Sequence, residues 1–478
     1  MGGDDRLARH RAAGKLDART RVETLCDPGT FREIGTLVGG PDVPADAIVA
    51  GSGLIDGRPV MVGAEDFTVL GGTIGPGSNA KRFRIAELAR RDRVPLVMLL
   101  EGAGYRADER GGGRGPTDLI EQARCSGVVP VVTAVLGASA GHGALIAPMS
   151  DFSVMTPGAA IFTAGPPVVK DATGEDVTKD ALGGPAVAID ASGLVHNLAA
   201  DDADALAQVR TFLSFLPSSA WSYPPSRATG DGERDCDELL DVVPRDGRKV
   251  YDVGRVLDAV FDRDVDRFEI QPRFGRAIVC ALAHLGGKPV AVVANQPKAM
   301  AGSIDADAAD KAARFVSMAD AFHLPLVFLS DNPGVLPGTA SERAGVLRAG
   351  ARMFAAQSRA TTPKLHVTLR KAYGFGSMVM SMVGFDGQSA TFAWPGATLG
   401  AMGASAHASA TGAQRDGDTV DALRAAELDA SYRSARGLGF DELIDPRETR
   451  NRLLDALRRA LSRRQQPAAP VARTGTLI

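Results

Sequence analysis

"DGRPVMVGAEDFTVLGGTI" at residues 56–74 and "GGKPVAVVANQPKAMAGSI" at 286–304 are one pattern written twice, 230 positions apart. Gly57 pairs with Gly287, Pro59 with Pro289, Val60 with Val290 and Val62 with Val292. The register then runs without a gap through Gly72 and Gly302, Ile74 and Ile304, Lys81 and Lys311, and Arg84 and Arg314, as far as Gly104 and Gly334. Further on the offset becomes 233, as a small insertion in one copy produces, so that Pro130 faces Pro363 and "AGHGA" (140–144) faces "YGFGS" (373–377). The repeating unit is a whole domain and not the short period of a solenoid.

Each copy reads as α/β. "PVMVGA" and "PVAVVA" are short, apolar, β-branched runs and predict buried strands. A helical segment follows. Ala312, Phe315, Val316, Ala319 and Phe322 recur at helical spacing in the second copy, as do Ile85, Ala86 and Ala89 in the first. "VPLVMLL" and "LPLVFLS" are strands again, making βαβ units. Third strands, "PVVTAVL" and "PKLHVTL", lead straight into glycine-rich turns. A length of 478 residues accommodates two domains of roughly 200 residues each. They are placed at 1–235 and 236–478, with a linker-like junction in the Pro-, Ser- and Gly-rich stretch 218–250 and a loose tail at 464–478.

Composition narrows the function classes. The net charge of −3 offers no basic surface for nucleic acid. Cys26, Cys125, Cys236 and Cys280 form no CxxC pair, which argues against a zinc ribbon or a disulfide framework. With neither a leader-like segment nor a run of 18 apolar residues, a cytoplasmic protein is expected. There is no GxxxxGK[ST] motif, and no GxGxxG follows the first strand, so nucleotide binding has no positive support. The loop "EGAGYRADERGGGRGP" (101–116) carries Arg106, Arg110 and Arg114, which suit either a phosphate grip or an exposed loop.

The two glycine turns are the candidate chemistry. A strand running into G-x-G and a short helix presents backbone N–H groups at the helix start, and two such donors aimed at one point stabilise an oxygen that becomes negative during reaction. One turn per domain implies two developing oxyanions. The plainer reading is that Gly141, Gly143, Gly374 and Gly376 only permit tight bends, which duplication alone would preserve. His142 and His366 invite a general-base role, but a histidine with no carboxylate partner in view reads first as structural.

Larger segments identify a resemblance. "GKLDARTRVETLCDPGTFREIG" (14–35), "FTAGPPVVKDATGEDVTKDALGGP" (162–185), "SGLVHNLAADDADAL" (192–206), "ADKAARFVSMADAFHLPLVFLSDNPGVLPG" (309–338), "RKAYGFGSMVM" (370–380) and "AWPGATLGAMGA" (393–404) resemble the carboxyltransferase β subunits of biotin-dependent acyl-CoA carboxylases, of the propionyl-CoA and methylcrotonyl-CoA type. The resemblance covers nearly the whole chain. It implies tandem crotonase-like (β-β-α superhelix) domains in a hexameric ring, with each active site between the N-terminal domain of one subunit and the C-terminal domain of its neighbour. It further implies acyl-CoA on the first domain and carboxybiotin on the second. Carboxybiotin then yields CO₂ and a biotin enolate, the latter serves as base, and the thioester enolate captures CO₂.

Carried over by motif, the acyl-CoA oxyanion pair falls on Gly141 and His142, or on His142 and Gly143 as the internal repeat has it. The biotin oxyanion pair falls on Phe375 and Gly376. Gly102, Ala103 and Ala140 are implied on the acyl side, and Tyr373, Gly374 and Met378 on the biotin side. Two departures stand out. The propionyl type has "YGGAYDVM" where this chain has "YGFGSMVM", so Phe375 needs room for its ring and a φ that is not positive. Met378 replaces an aspartate that influences acyl choice, which puts propionyl-CoA in doubt and points to a longer or more apolar acyl group. Neither a biotin-attachment "AMKM" nor space for an ATP-grasp segment is present, so biotin and its carboxylation are assigned to a partner α subunit carrying the biotin carboxylase and the carboxyl carrier. No metal is expected in this chain. Two other readings remain open: an acyl-CoA decarboxylase subunit, and a non-catalytic paralogue in a mixed hexamer, suggested by His142 and Phe375 at positions that are usually small.

Overall fold

Two dipeptides, Asp56-Gly57 and Gly286-Gly287, turn the hairpins on which both sheets are built. All four residues have positive φ (48°, 74°, 59° and 73°), the conformation that lets a two-residue loop match the twist of its strands. The computed structural model describes residues 1–106, 117–382, 384, 386–412, 417–462, 464, 466, 467, 469 and 470, with residues 44 and 405 as backbone only. The chain divides into two compact units, Met1–Tyr223 with Pro467–Ile478, and Pro224–Gln466. The division falls at the start of the expected linker. That stretch is not loose, because the Ala220 N–H donates to the Val128 carbonyl and Cys236 is fully buried. The expected C-terminal tail lies largely outside the described residues.

The first unit has β1 (Arg32–Glu33), β2 (Ile48–Ile55), β3 (Arg58–Glu65), β4 (Leu96–Gly102), β5 (Val131–Ala140), β6 (Phe152–Met155), β7 (Ala160–Phe162) and β8 (Asn197–Leu198). Their order is β1-β2-β3-β4-β5-β6-β8, with β7 also on β5. Antiparallel pairing ends at β3, and the strands from β3 onward pair in parallel. Helix α1 (Pro76–Asp92) makes the crossover from β3 to β4, and α2 (Asp118–Cys125) precedes β5. The apolar side of α1, Ile85, Ala86 and Ala89, is fully buried against the sheet.

The second unit repeats this plan with β9 (Phe268–Ile270), β10 (Ile278–Leu285), β11 (Lys288–Asn295), β12 (Leu326–Asn332), β13 (Lys364–Tyr373), β14 (Ala390–Ala393), β15 (Thr398–Gly400) and β16 (Glu442–Leu443). The order is β16-β14-β13-β12-β11-β10-β9, with β15 also on β13. Helices α3 (Ala306–Ala321) and α4 (Val346–Arg359) take the places of α1 and α2, and α5 (Gly374–Val379) follows β13. The long strands β5 and β13 each pair with one strand along their first half and another at their C-terminal end, which bends the sheet into the superhelix expected of the fold.

Matched details explain the repeat. Register shifts fall at Leu100/Gly102 and at Ser330/Asn332, one at the end of each second parallel strand, where bulges re-aim the chain next to functional sites. Lys81 donates to the carbonyls of Ala45 (3.2 Å) and Ile48 (2.6 Å), and Lys311 to those of Gln271 and Phe274 (both 2.9 Å). Each buried ammonium thus clamps the loop ahead of the first hairpin strand, where those carbonyls have no water to bond. Among the described residues no helix is long and apolar enough to cross a membrane.

Candidate oxyanion turns

At the end of β5, Ala140 leaves the sheet with extended backbone (φ −127°) and Gly141 turns with φ 55°. At the end of β13, Tyr373 does the same (φ −117°) and Gly374 turns with φ 54°. This match pairs Gly141 with Gly374, His142 with Phe375 and Gly143 with Gly376. Positive φ falls on the glycine in both turns, so Phe375 carries no such strain. The N–H groups of His142, Phe375 and Gly376 open a helical turn ahead of its first internal acceptor, while Gly143 is the third residue of a 3₁₀ turn whose N-cap is Ala140. Among the described residues none of the four donates to a side chain or to a backbone carbonyl outside the helices and strands.

The other residues expected on the acyl side, Gly102, Ala103 and Ala140, lie around the first turn. Gly102 ends β4, and the Ala103 N–H donates to the Gly71 carbonyl at 3.0 Å. A Cβ at Gly104 would lie 3.0 Å from the Ala140 carbonyl oxygen, so the chain after β4 runs against the chain that enters the turn. In the second unit the Tyr373 hydroxyl donates to Glu427 Oε1 at 2.9 Å. Met378 is exposed, and its carbonyl accepts from Gln357 Nε2 at 3.0 Å. Beside this turn is a cavity of about 330 Å³ lined by Ala401, Met402, His407, Leu423 and Glu427.

The supports under the two turns differ. Beneath the first, His142 Nε2 hydrogen-bonds Asp118 Oδ1. Arg82, fully buried, donates from Nε to Asp118 Oδ2 (2.6 Å) and from Nη1 to Glu65 Oε1 (2.7 Å). Glu65 Oε2 in turn accepts the Glu101 N–H at 2.8 Å. Burial favours the neutral form of Asp118, but the hydrogen bond from His142 and the charge of Arg82 outweigh it and hold the carboxyl at about 2. Burial pushes Glu65 the other way, upward, against the pull of Arg82. Reading His142 as unpartnered is therefore corrected: its carboxylate lies 24 residues upstream in sequence and only the fold brings it near.

Beneath the second turn, Asn295 occupies the place of Glu65 and accepts the Asp331 N–H at 3.1 Å. Asn332 Oδ1 accepts the Gly334 N–H (3.0 Å) and lies directly under Gly376. The Phe375 ring finds its room on α4. It stands 6.1 Å from the Phe354 ring, and a Cβ at Gly350 would be 2.8 Å from its Cε1. His366 is structural, being fully buried with Nδ1 donating to the Met380 carbonyl (2.9 Å) and Nε2 2.8 Å from Thr368 Oγ1. Its pKa is pushed down to about 4 by burial.

Arg106 is engaged, donating to Asp46 Oδ1 (2.6 Å) and the Thr73 carbonyl (2.8 Å), which leaves it poorly placed to grip a phosphate. Arg110 and Arg114 lie outside the described residues. No group of three or more His, Cys, Asp or Glu among the described residues is placed to hold a metal ion. Sequence reasoning missed Glu65, Arg82, Asp118, Asn295, Asn332 and Gly350. A signal existed for Glu65 and Asn295, which are polar residues at matched ends of apolar strands.

A family model described as carboxyl transferase domain matches residues 9–474. The chain is 37% identical over 490 residues to the propionyl-CoA carboxylase carboxyltransferase subunit of Haloferax mediterranei, covering 97% of this chain and 94% of that one. It is 35% identical over 483 residues to the methylmalonyl-CoA decarboxylase subunit alpha of Veillonella parvula, covering 98% and 94%. The crystal structure of transcarboxylase 12S, a hexamer with methylmalonyl-coenzyme A and methylmalonic acid bound, matches with a TM-score of 0.91 at 36% identity over 98% of this chain and 94% of that one.

Proposed function

The chain belongs to the carboxyl transferase family, and from that membership we propose how its two units divide one reaction. It is a carboxyltransferase of the biotin-dependent acyl-CoA carboxylase and transcarboxylase kind, whose biotin is carried by a partner subunit. In this proposal the first unit binds the acyl-CoA, and the N–H groups of His142 and Gly143 receive the thioester oxygen as it gains negative charge. The second unit receives the carboxybiotin of the partner, with the N–H groups of Phe375 and Gly376 on the ureido oxygen. Bound carboxybiotin supplies the carboxyl group that ends on the acyl α-carbon. Two preorganised donors per oxygen are worth several kcal/mol of barrier, since removing one such donor elsewhere costs about 3–4 kcal/mol.

The observation that carries this reading is the pair of equivalent turns, with φ of 55° at Gly141 and 54° at Gly374 and the first N–H groups of a helical turn after each. The cavity of about 330 Å³ beside the second turn is consistent with a small ring system docking there. The same proposal takes the assembly as a hexamer of β-type subunits, with each site completed by a neighbour. It places the enzyme in the cytoplasm and takes the acyl group as longer or more apolar than propionyl, from Met378. The test is a panel of acyl-CoAs from short to long chain, assayed with the native biotinylated partner, ATP and labelled bicarbonate. Label fixed into one chain-length class supports the reading and names the substrate. Silence across the panel with the partner turning over ATP refutes it and favours a non-catalytic paralogue.

A second reading has an observation of its own. Identity to the Veillonella decarboxylase subunit, 35%, is close to the 37% found with the Haloferax carboxylase subunit, at equal coverage of the relatives. Release of CO₂ from a malonyl-type CoA, dependent on a co-purifying membrane partner, would assign the chain to that reading.

A further inference from the structure

We propose that the side chain of His142, positioned by Asp118, takes the α-proton of the acyl-CoA, so that the acyl half-site contains a base of its own. The inference rests on the functional reading above and adds to it a group that the family resemblance does not supply, since there the base is biotin.

The hydrogen bond between His142 Nε2 and Asp118 Oδ1 sets the direction of the imidazole's protons. Asp118 is fully buried and accepts from Arg82 and from Gln122 Nε2 (2.9 Å), so it stays an anion and draws the Nε2–H of the ring. Nδ1 is then the nitrogen with a free lone pair, the arrangement by which a carboxylate fixes the working tautomer of a catalytic histidine. Among the described residues Nδ1 has no hydrogen-bond partner. The charged groups facing the ring are Asp118 on α2, Arg82 of α1 behind it, and Glu65 of β3 under Gly143. The His142 side chain is 21% exposed, which is enough to exchange a proton with solvent and too little for a freely solvated side chain.

The duplicated unit argues against a merely structural role. Its turn has the same backbone without any of these groups. Phe375 replaces His142, Gly350 and Ala351 occupy the place of Asp118, and Ala312 that of Arg82. A buried ion-pair network is not needed to make the turn, and such networks are weak evidence for stability. One copy has kept an apolar support and the other a protonatable one.

The step balances without an oxidant or a metal. The α-C–H bond breaks, and its electron pair forms the C=C bond of the enolate as the thioester oxygen becomes negative. The proton goes to Nδ1, and the resulting imidazolium faces the Asp118 carboxylate. When no carboxyl donor is present, the imidazolium proton exchanges with water and the α-carbon is reprotonated.

The test uses the intact chain without biotin or partner. Propionyl-, octanoyl- and palmitoyl-CoA deuterated at the α-carbon are incubated in ordinary water, and loss of deuterium is followed by mass spectrometry. The expected result is washout from the acyl-CoA that is also carboxylated, at least about 100-fold above the enzyme-free rate, the lower range for general-base catalysis. His142→Gln should abolish washout while acyl-CoA binding by calorimetry persists, and Asp118→Asn should slow it. A wild-type chain that transfers carboxyl groups from carboxybiotin but shows no washout alone overturns the inference and leaves the functional reading intact. Washout that survives His142→Gln overturns it equally. If the wild type transfers no carboxyl group at all, both readings fall.

Discussion

Gly143 and Gly376 occupy equivalent positions, yet alanine should affect them very differently. A Cβ at Gly376 would overlap Asn332 Oδ1 and lie 2.7 Å from Gly334 Cα and 2.9 Å from its carbonyl carbon. Ordinary carbon contacts begin at about 3.5 Å, so nearly 1 Å of overlap must be relieved. Two of the three obstacles are backbone, and Gly334 is tied to Asn332 and through it to Asn295, so the turn itself has to move. Overpacking of this kind costs about 1–3 kcal/mol of stability. With the Gly376 N–H as the proposed oxyanion donor, shifting it costs a further factor of about 100 to 1,000 in kcat, or about 3–4 kcal/mol. At Gly143 the nearest atoms are Glu65 Oε1 at 3.2 Å and Ile74 Cδ1 at 3.3 Å, both on side chains and only a few tenths of an ångström inside ordinary contact. Gly143→Ala should therefore lose less than about tenfold, within about 1 kcal/mol. The assay is steady-state carboxyl transfer with the native partner, with acyl-CoA affinity measured separately by calorimetry. Gly376→Ala should keep that affinity and lose kcat. Equal losses in the two variants, or wild-type kcat in Gly376→Ala, would refute the argument from the supports beneath the turns.

The support beneath Phe375 makes a coupled pair. Gly350→Ala should destabilise by about 1–3 kcal/mol through overpacking against the ring and become nearly neutral in a Phe375→Ala background, a coupling above about 1 kcal/mol in urea denaturation. Arg82→Met leaves Glu65 and Asp118 buried without their shared cation and should lower stability by about 3–5 kcal/mol, with part regained on adding Asp118→Asn. His366 and His284 are both held down at about 4 by burial, so between their unfolded value of about 6.5 and that point the unfolded chain binds more protons. Stability should fall as pH drops through that window, and His366→Gln should flatten the slope of denaturation midpoint against pH. An unchanged slope would place the acid sensitivity elsewhere.

Local pattern carried the architecture a long way. The repeat at offsets of 230 and 233 located three strands, a crossover helix and a glycine turn in each copy, because strand and helix periodicities and the glycine that a positive φ requires are written in neighbouring residues, while the hairpin partner strands β2 and β10 were not read. The character of the expected junction was not legible in its composition. Its Pro- and Ser-rich composition reads as loose, whereas Ala220 and Cys236 show it packed.

By itself the sequence determined that one domain occurs twice, where each strand ends in a glycine turn, and which residues stand at equivalent places. Only the tertiary structure decided what lies beneath those turns. Asp118 reaches His142, Arg82 reaches both Asp118 and Glu65, and Gly350 makes room for Phe375, across separations of 24, 36, 17 and 25 residues along the chain. Such pairs follow no period, since which helix residue meets which turn residue is set by how α1, α2 and α4 pack on their sheets, and each partner taken alone is an ordinary helix or strand residue.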